Sequence, residues 1–243
     1  MKNLSRVVTK LKYREIEKRM SGLGESTAQR IELDLTHLFT FGLQSSDTYT
    51  NIDGESVSVT TGDAVRIFSN SHTITGSSTN VDNLNGTTAF SRTGLEAAER
   101  LFDNMVNMND VKVIPQPDTI ITGNDPAMKN IVSEFNRSIG APDTAERADN
   151  VYKGRYKHIV LPYLATTNLG AATSTGRYYW MLADLKHKDA ILEFSEMPTF
   201  TMGSPSNGGE DFDTEDVKAK SSASYAYGIL DYKWIIGSSA TSV

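Results

Sequence analysis

Four histidines, one serine–histidine dipeptide and one cluster of carboxylates are the residues whose chemistry could go beyond solvation. Histidine exchanges a proton near neutral pH and is the commonest nitrogen ligand for metals. His37, His72, His158 and His187 lie far apart, and no two stand four residues apart as a helical metal pair would. Surface or capping roles are therefore expected. Ser71 directly precedes His72, giving the residue types of a nucleophile and its base. Sequence neighbours seldom bring a hydroxyl and an imidazole face to face, and no Gly-x-Ser-x-Gly elbow is present. A serine hydrolase using Ser71 and His72 is thus the enzymatic alternative, and the main expectation is a protein that is not an enzyme.

The carboxylates are Glu210, Asp211, Asp213, Glu215 and Asp216. A calcium loop needs glycine at its sixth position and glutamate at its twelfth. Counted from Asp211, those places hold Asp216 and Ser222, so the pattern fails. A solvated or protein-contact loop is expected, with no metal and no cofactor. The phosphate-cradling motifs Gly-x-x-x-x-Gly-Lys and Gly-x-Gly-x-x-Gly are absent. Lys153, Arg155, Tyr156, Lys157 and His158 mix cations with an aromatic ring, as single-strand binders do. They run straight into an apolar strand, however, which reads as a sheet edge guarded by charge.

The 243 residues suffice for one large domain or two small ones. With 38% hydrophobic and 22% charged residues, the chain has too much apolar content for wholesale disorder. The net charge of −6 argues against a dedicated nucleic-acid binder. The charge is uneven: residues 1–19 carry an excess of +5, which leaves −11 for the rest. With no cysteine, disulfides, thiolate metal sites and a cysteine nucleophile are excluded. No apolar run approaches the roughly 18–20 residues of a membrane span, and basic residues interrupt Leu4, Val7 and Val8, so no signal-peptide core forms. A soluble protein is expected.

The elements that must position these residues begin with a helical face at Tyr13, Ile16 and Met20. Gly22 and Gly24 then predict a kink or break, since glycine costs about 1 kcal/mol relative to alanine within a helix. A second stripe follows at Ala28, Ile31, Leu35 and Leu38. Residues 43–89 are rich in Ser, Thr, Asn and Gly and read as a long hairpin and loops, with Asp53-Gly54 as a turn and Val57 and Val59 alternating in a strand. Thr93 and Glu96 form a capping-box pattern ahead of a stripe at Leu95, Ala98, Leu101, Phe102, Met105 and Met108. Residues 111–114 and 119–122 read as strand, broken by Pro115 and Pro117. Asp125-Pro126 opens a helix with Met128, Ile131, Val132 and Phe135 inward and Gly140 as its stop. Strands are expected at 158–161, 178–182 and 191–194, and as one long aromatic run over 225–236. Substituting Phe135 or Leu101 by alanine should cost about 2–5 kcal/mol where those stripes are buried.

The order of the segments carries more than any one motif. A helix ends in Arg30-Ile31-Glu32-Leu33-Asp34-Leu35-Thr36-His37, followed by Leu38-Phe39-Thr40-Phe41-Gly42 and by Ile67-Phe68-Ser69-Asn70-Ser71-His72-Thr73. Leu95-Glu96-Ala97-Ala98-Glu99-Arg100-Leu101 and Ile120-Ile121-Thr122-Gly123-Asn124-Asp125-Pro126 come next. Val151-Tyr152-Lys153-Gly154-Arg155-Tyr156-Lys157-His158, Tyr178-Tyr179-Trp180-Met181-Leu182-Ala183, Glu210-Asp211-Phe212-Asp213-Thr214 and Tyr225-Ala226-Tyr227-Gly228 close the series. From about Val7 to Gly237 this order resembles the major capsid protein family of tailed bacteriophages, whose fold encapsulin compartments share.

The resemblance implies an α+β fold with two regions. A peripheral region, 1–114 and 187–243, would hold a long spine helix, a hairpin and the terminal strands. An axial α/β region, 115–186, would point to the centre of the capsomer. It implies a structural subunit that assembles through pentamers and hexamers into an icosahedral head around double-stranded DNA. The DNA would be held without sequence specificity, with the basic residues from Lys2 to Arg19 facing inward. Implied partners are further copies of the chain and scaffold, portal, decoration or maturation-protease proteins, with no membrane. The implied location is the virion, assembled in the host cytoplasm. Glu210, Asp211, Asp213, Glu215 and Asp216 match the family's loop that meets neighbours at threefold points. On this resemblance the family's N-terminal arm and long extended hairpin are expected to be missing here, either because Met1 is an internal or truncated start or because another chain supplies the clamp. An encapsulin-like shell is the alternative within the same fold.

Overall fold

The computed structural model describes residues 2–74, 80–140, 149–202 and 219–242. It mixes helix and sheet. In chain order the elements are α1 (Lys2–Gly42), β1 (Thr48–Thr50), β2 (Ser56–Ser58), β3 (His72–Thr73), β4 (Asn80–Val81), α2 (Arg92–Asp103), β5 (Thr119–Gly123), α3 (Pro126–Arg137), β6 (Lys157–Leu161), β7 (Trp180–Ala183), a 3₁₀ turn (Leu185–His187), β8 (Ala190–Met202), β9 (Ala219–Ile229) and β10 (Ile235–Ser238). The chain divides into two compact units, Met1–Glu32 with Leu192–Tyr227, and Leu33–Ile191 with Gly228–Val243.

The larger unit is organised by a four-stranded sheet in the order β10-β7-β5-β6. β5 and β6 run parallel, joined by the crossover that contains α3, while β7 is antiparallel to both β5 and β10. Every residue of β5, β7 and β10 is buried. Because side chains alternate, these strands must be covered on both faces. Ile120, Trp180, Leu182 and Ile236 fall on one face and join a core with Leu95, Ala98 and Phe102 of α2 and Met128, Val132 and Phe135 of α3. On the other face, a Cβ added at Gly237 would come within 2.6–2.7 Å of Leu43 and Phe68, so glycine there lets those side chains close onto the sheet.

Local chemistry sets the helix ends. Asp125 caps α3 as expected, its carboxylate accepting from Ala127 N–H, with Pro126 in the first turn. The helix stops at Ser138, two residues before the expected Gly140. The α2 cap is Ser91, whose hydroxyl accepts from Gly94 N–H at 3.1 Å; it displaces the expected Thr93–Glu96 box, and Glu96 instead pairs with Arg92 at 3.0 Å. The helix ends at Asp103, so Met105 is buried from the following turn and Met108 is exposed.

Three other expectations are corrected. α1 continues through Gly22 and Gly24 without a break, because both glycines keep their place in the hydrogen-bond ladder and the rest of the 41-residue helix offsets their entropic cost. Residues 111–114 form no strand, and Val111 and Ile114 are exposed. The aromatic run 225–236 is two strands, β9 and β10, separated by a turn in which Asp231 accepts Lys233 N–H. That turn buries Tyr232 and Trp234.

The smaller unit contains the first part of α1 and most of β8 and β9, which form a two-stranded sheet. Thr27 on α1 and Ser221 on β9 hydrogen-bond at 2.8 Å. Pro198 lies within β8, a position open to proline because a strand in a two-stranded ribbon has a free outer edge.

Phe135 is 3% exposed inside the main core, whereas Leu101 is only partly buried. Urea unfolding should therefore show a loss of about 3–5 kcal/mol for Phe135→Ala and a smaller one, below about 2 kcal/mol, for Leu101→Ala. Equal losses would mean that the core is not arranged around α3 as described.

Candidate functional site

Glu210, Asp211, Asp213, Glu215 and Asp216 lie outside the described residues. The four histidines sit in four separate settings. His37 Nε2 lies 3.0 Å from Thr166 Oγ1, and His158 Nε2 lies 2.8 Å from Thr122 Oγ1. Burial and the nearby Lys129 ammonium push the His158 imidazole below its ordinary value. His187 Nδ1 meets Asp184 Oδ2 at 2.7 Å. Among the described residues, no three of these or of the carboxylates come together as metal ligands.

Ser71 and His72 are not brought together as nucleophile and base. His72 is wholly buried, with Nδ1 2.7 Å from Asp63 Oδ2 and Nε2 3.1 Å from Asn83 Oδ1. Ser71 is exposed, and its hydroxyl accepts from Asn80 Nδ2 at 3.2 Å. Both imidazole nitrogens are thus engaged away from the hydroxyl that the hydrolase reading needs them to activate.

The residues that do surround His72 come from three separate stretches, two of them near it in the chain. Asp63 sits in a tight turn, its Oδ1 accepting from Thr61 Oγ1 at 2.6 Å and from Val65 N–H at 3.2 Å. Asn83 follows β4, which pairs antiparallel with β3 and sets His72 opposite Val81. Tyr232, in the turn before β10, stacks on the imidazole with ring centres 3.6 Å apart and planes 9° from parallel. Burial works to raise the Asp63 carboxyl, but hydrogen bonds from Thr61, His72 and Val65, with the charge of His72, hold it below the usual carboxylate range. Burial, then the charges of Asp231 and Asp63, push the Tyr232 phenol up. The Thr-x-Asp-x-Val pattern marks the Asp63 turn in the sequence. Nothing in the sequence links that turn to residues 83 and 232.

A second polar group lies at the 3₁₀ turn. Asp184 is 1% exposed in its side chain and accepts from Gln116 N–H at 2.8 Å and Lys186 N–H at 3.2 Å, besides facing His187. Burial opposes its charge, but the His187 hydrogen bond and these backbone donors prevail and hold its carboxyl down. His187 borders a cavity of about 200 Å³ whose wall is Val113, Ile114, Pro115 and Trp234, with Asp231 and Lys233 beside them. Those two charges pair with each other at 3.4 Å. The arrangement is an apolar recess with a neutralised rim.

Of the cations at the approach to β6, Arg155 is engaged by the protein itself, while Lys153 and Lys157 are exposed. Arg155 ion-pairs with Glu99 of α2 at 3.0 Å and lies 5.4 and 5.3 Å from the ring centres of Tyr152 and Tyr156. Tyr156 donates to the same carboxylate. These residues tie α2 to the approach to β6, the outer strand of its sheet.

In the smaller unit, residues 192–201 of β8 are exposed apart from Phe194, which contacts Tyr225 with ring centres 5.9 Å apart. Leu192, Met197 and Phe200 are the exposed apolar side chains of this stretch. No family model, curated protein or solved structure matches the chain.

The lowered Asp63 carboxyl fixes the sign of a pH effect. A folded-state value below the unfolded one contributes stability that is present above the unfolded value, about 3.9, and is lost as pH falls through the folded one. Asp63→Asn should therefore lower stability at pH 7 by about 1–3 kcal/mol, the cost of a buried donor losing a charged acceptor. It should also flatten the acid side of the stability profile measured by urea unfolding from about pH 7 to about pH 3. An unchanged acid limb would show that Asp63 carries no such linkage.

Proposed function

We propose that this chain is a structural protein, the major capsid subunit of a tailed-bacteriophage head, which self-assembles through pentamers and hexamers into an icosahedral shell enclosing double-stranded DNA. The observation that supports the reading best is the β8–β9 ribbon. An isolated two-stranded ribbon is marginal in water, because it has no third strand or helix to bury its faces. Among the described residues no third strand pairs with it, and Leu192, Met197 and Phe200 stand exposed along one strand. Contact with a neighbouring subunit would cover both liabilities, and repetition of a single such contact is what closes a symmetric shell. The order of the segments, with a long helix ahead of a mixed sheet and a late ribbon, is consistent with this reading.

In this proposal residues 1–114 and 187–243 form the peripheral region and 115–186 the axial region. The carboxylates Glu210, Asp211, Asp213, Glu215 and Asp216 belong to a loop that meets neighbouring subunits. The shell would be part of the virion, with scaffold, portal, decoration or protease proteins as further partners.

Interface residues that matter cost about 2 kcal/mol or more when disrupted, roughly a thirtyfold change in affinity per contact. Met197→Asp combined with Phe200→Asp should therefore convert large wild-type assemblies into small species in sedimentation velocity, while the circular dichroism spectrum stays the same. Assemblies of unchanged size in the double variant would remove the ribbon from the interface.

A further inference from the structure

The two edges of the four-stranded sheet are treated differently. At β10 the chain covers its own edge: Gly237 N–H donates to Asn83 O at 3.0 Å and Asn85 N–H to Gly237 O at 2.8 Å, with Leu84 bridged to Gly237. At the opposite edge lies β6, which pairs on one side with β5. Lys157 N–H donates to Asp118 O at 2.8 Å, so Lys157, Ile159 and Leu161 turn their backbone groups to β5. His158 and Val160 then present theirs outward, and among the described residues no backbone group meets them. Such a row is a template for one more strand.

The side chains along this edge select the kind of strand it accepts. Lys157, Ile159 and Leu161 share one face of β6, with Lys157 exposed and Ile159 38% exposed. Lys153 stands exposed in the turn ahead of the strand. Neither lysine meets a carboxylate among the described residues, unlike Arg155, which Glu99 holds at 3.0 Å. On the other face, Lys129 of α3 lies close enough to act on the charge of His158, and its Nζ donates to the neutral Asn124 Oδ1 at 2.9 Å. Lysine on an edge disfavours pairing between copies, because each copy brings the same charge to the seam. A strand that carries carboxylates brings the opposite charge and gains from it.

We propose that the outer edge of β6 is a docking site for an extended acidic segment of a partner protein. The segment adds a further strand to the four-stranded sheet and sets a carboxylate beside Lys157 and an apolar side chain beside Ile159. Backbone hydrogen bonds to His158 and Val160 supply the binding, and the lysines supply the choice of partner. The site does not depend on the capsid reading.

A fluorescent peptide made of two Thr-Glu-Thr-Val repeats, about as long as a strand, probes the site on the whole protein. Its anisotropy is followed at about 0.15 M salt, where exposed charges act over roughly 8 Å. The peptide should bind, and three changes should each weaken it by at least about tenfold. These are lysine in place of its glutamates, methylation of every backbone nitrogen of the peptide, and the double variant Lys153→Glu with Lys157→Glu. Hydrogen exchange of the wild type should show protection gained at residues 157–161 when the peptide is added. Absence of binding would overturn the proposal, as would an affinity left unchanged by methylation or by the double variant. Protection of 157–161 that rises with protein concentration, without peptide, would put a second copy on the edge and overturn it as well. Should the double variant fail to fold, the lysine and methylated peptides decide on the wild type.

Discussion

The larger unit depends on strands that are buried on both faces. Thr119–Gly123 and Trp180–Ala183 have no side that faces water, so each needs cover from two directions at once. The amphipathic helices α2 and α3 supply one layer through Leu95, Phe102, Val132 and Phe135. Leu43 and Phe68 close on the other face, at Gly237. Polar groups inside this sandwich must be paired or they cost stability. Thr122 meets His158, and Trp180 Nε1 donates to Thr88 O at 2.9 Å, which binds the strand to the chain ahead of α2. The two ring nitrogens of the buried His72 obey the same rule, facing Asp63 Oδ2 and Asn83 Oδ1.

The parts that were legible in the sequence are those set by neighbours in the chain. Asp125-Pro126 is an N-cap followed by a first-turn proline, and the spacing of Met128, Val132 and Phe135 is a helical stripe; both are local signals and both describe α3. The misplaced features are ones where tertiary context or a competing local option decides. Ser91 takes the cap that Thr93 also fitted, because its extended backbone directs the hydroxyl at Gly94 N–H. The run from Tyr225 to Ile236 has uniform strand propensity, yet Asp231 and Lys233 turn it so that Tyr232 and Trp234 enter the core. Residues 111–114 are apolar enough for a strand but pair only through a single antiparallel bridge, Lys112 to Val106, in the turn that follows α2.

The candidate site was the least legible. His72 was visible as a residue type, but its meaning comes from Asp63, Asn83 and Tyr232, which are up to 160 positions away from it and carry no shared motif. Ser71 and His72 offered only the residue types of a catalytic pair, and Ser71, just ahead of β3, is exposed while His72, within it, is buried. Along β8 Leu192, Met197 and Phe200 are all exposed, a pattern that a strand needing a partner shares with one that has none.

The most direct test of the proposed role is electron microscopy of the expressed full chain at several concentrations. The account predicts closed shells with subunits arranged in fives and sixes. Particles no larger than a 26.7 kDa monomer at every concentration would contradict it.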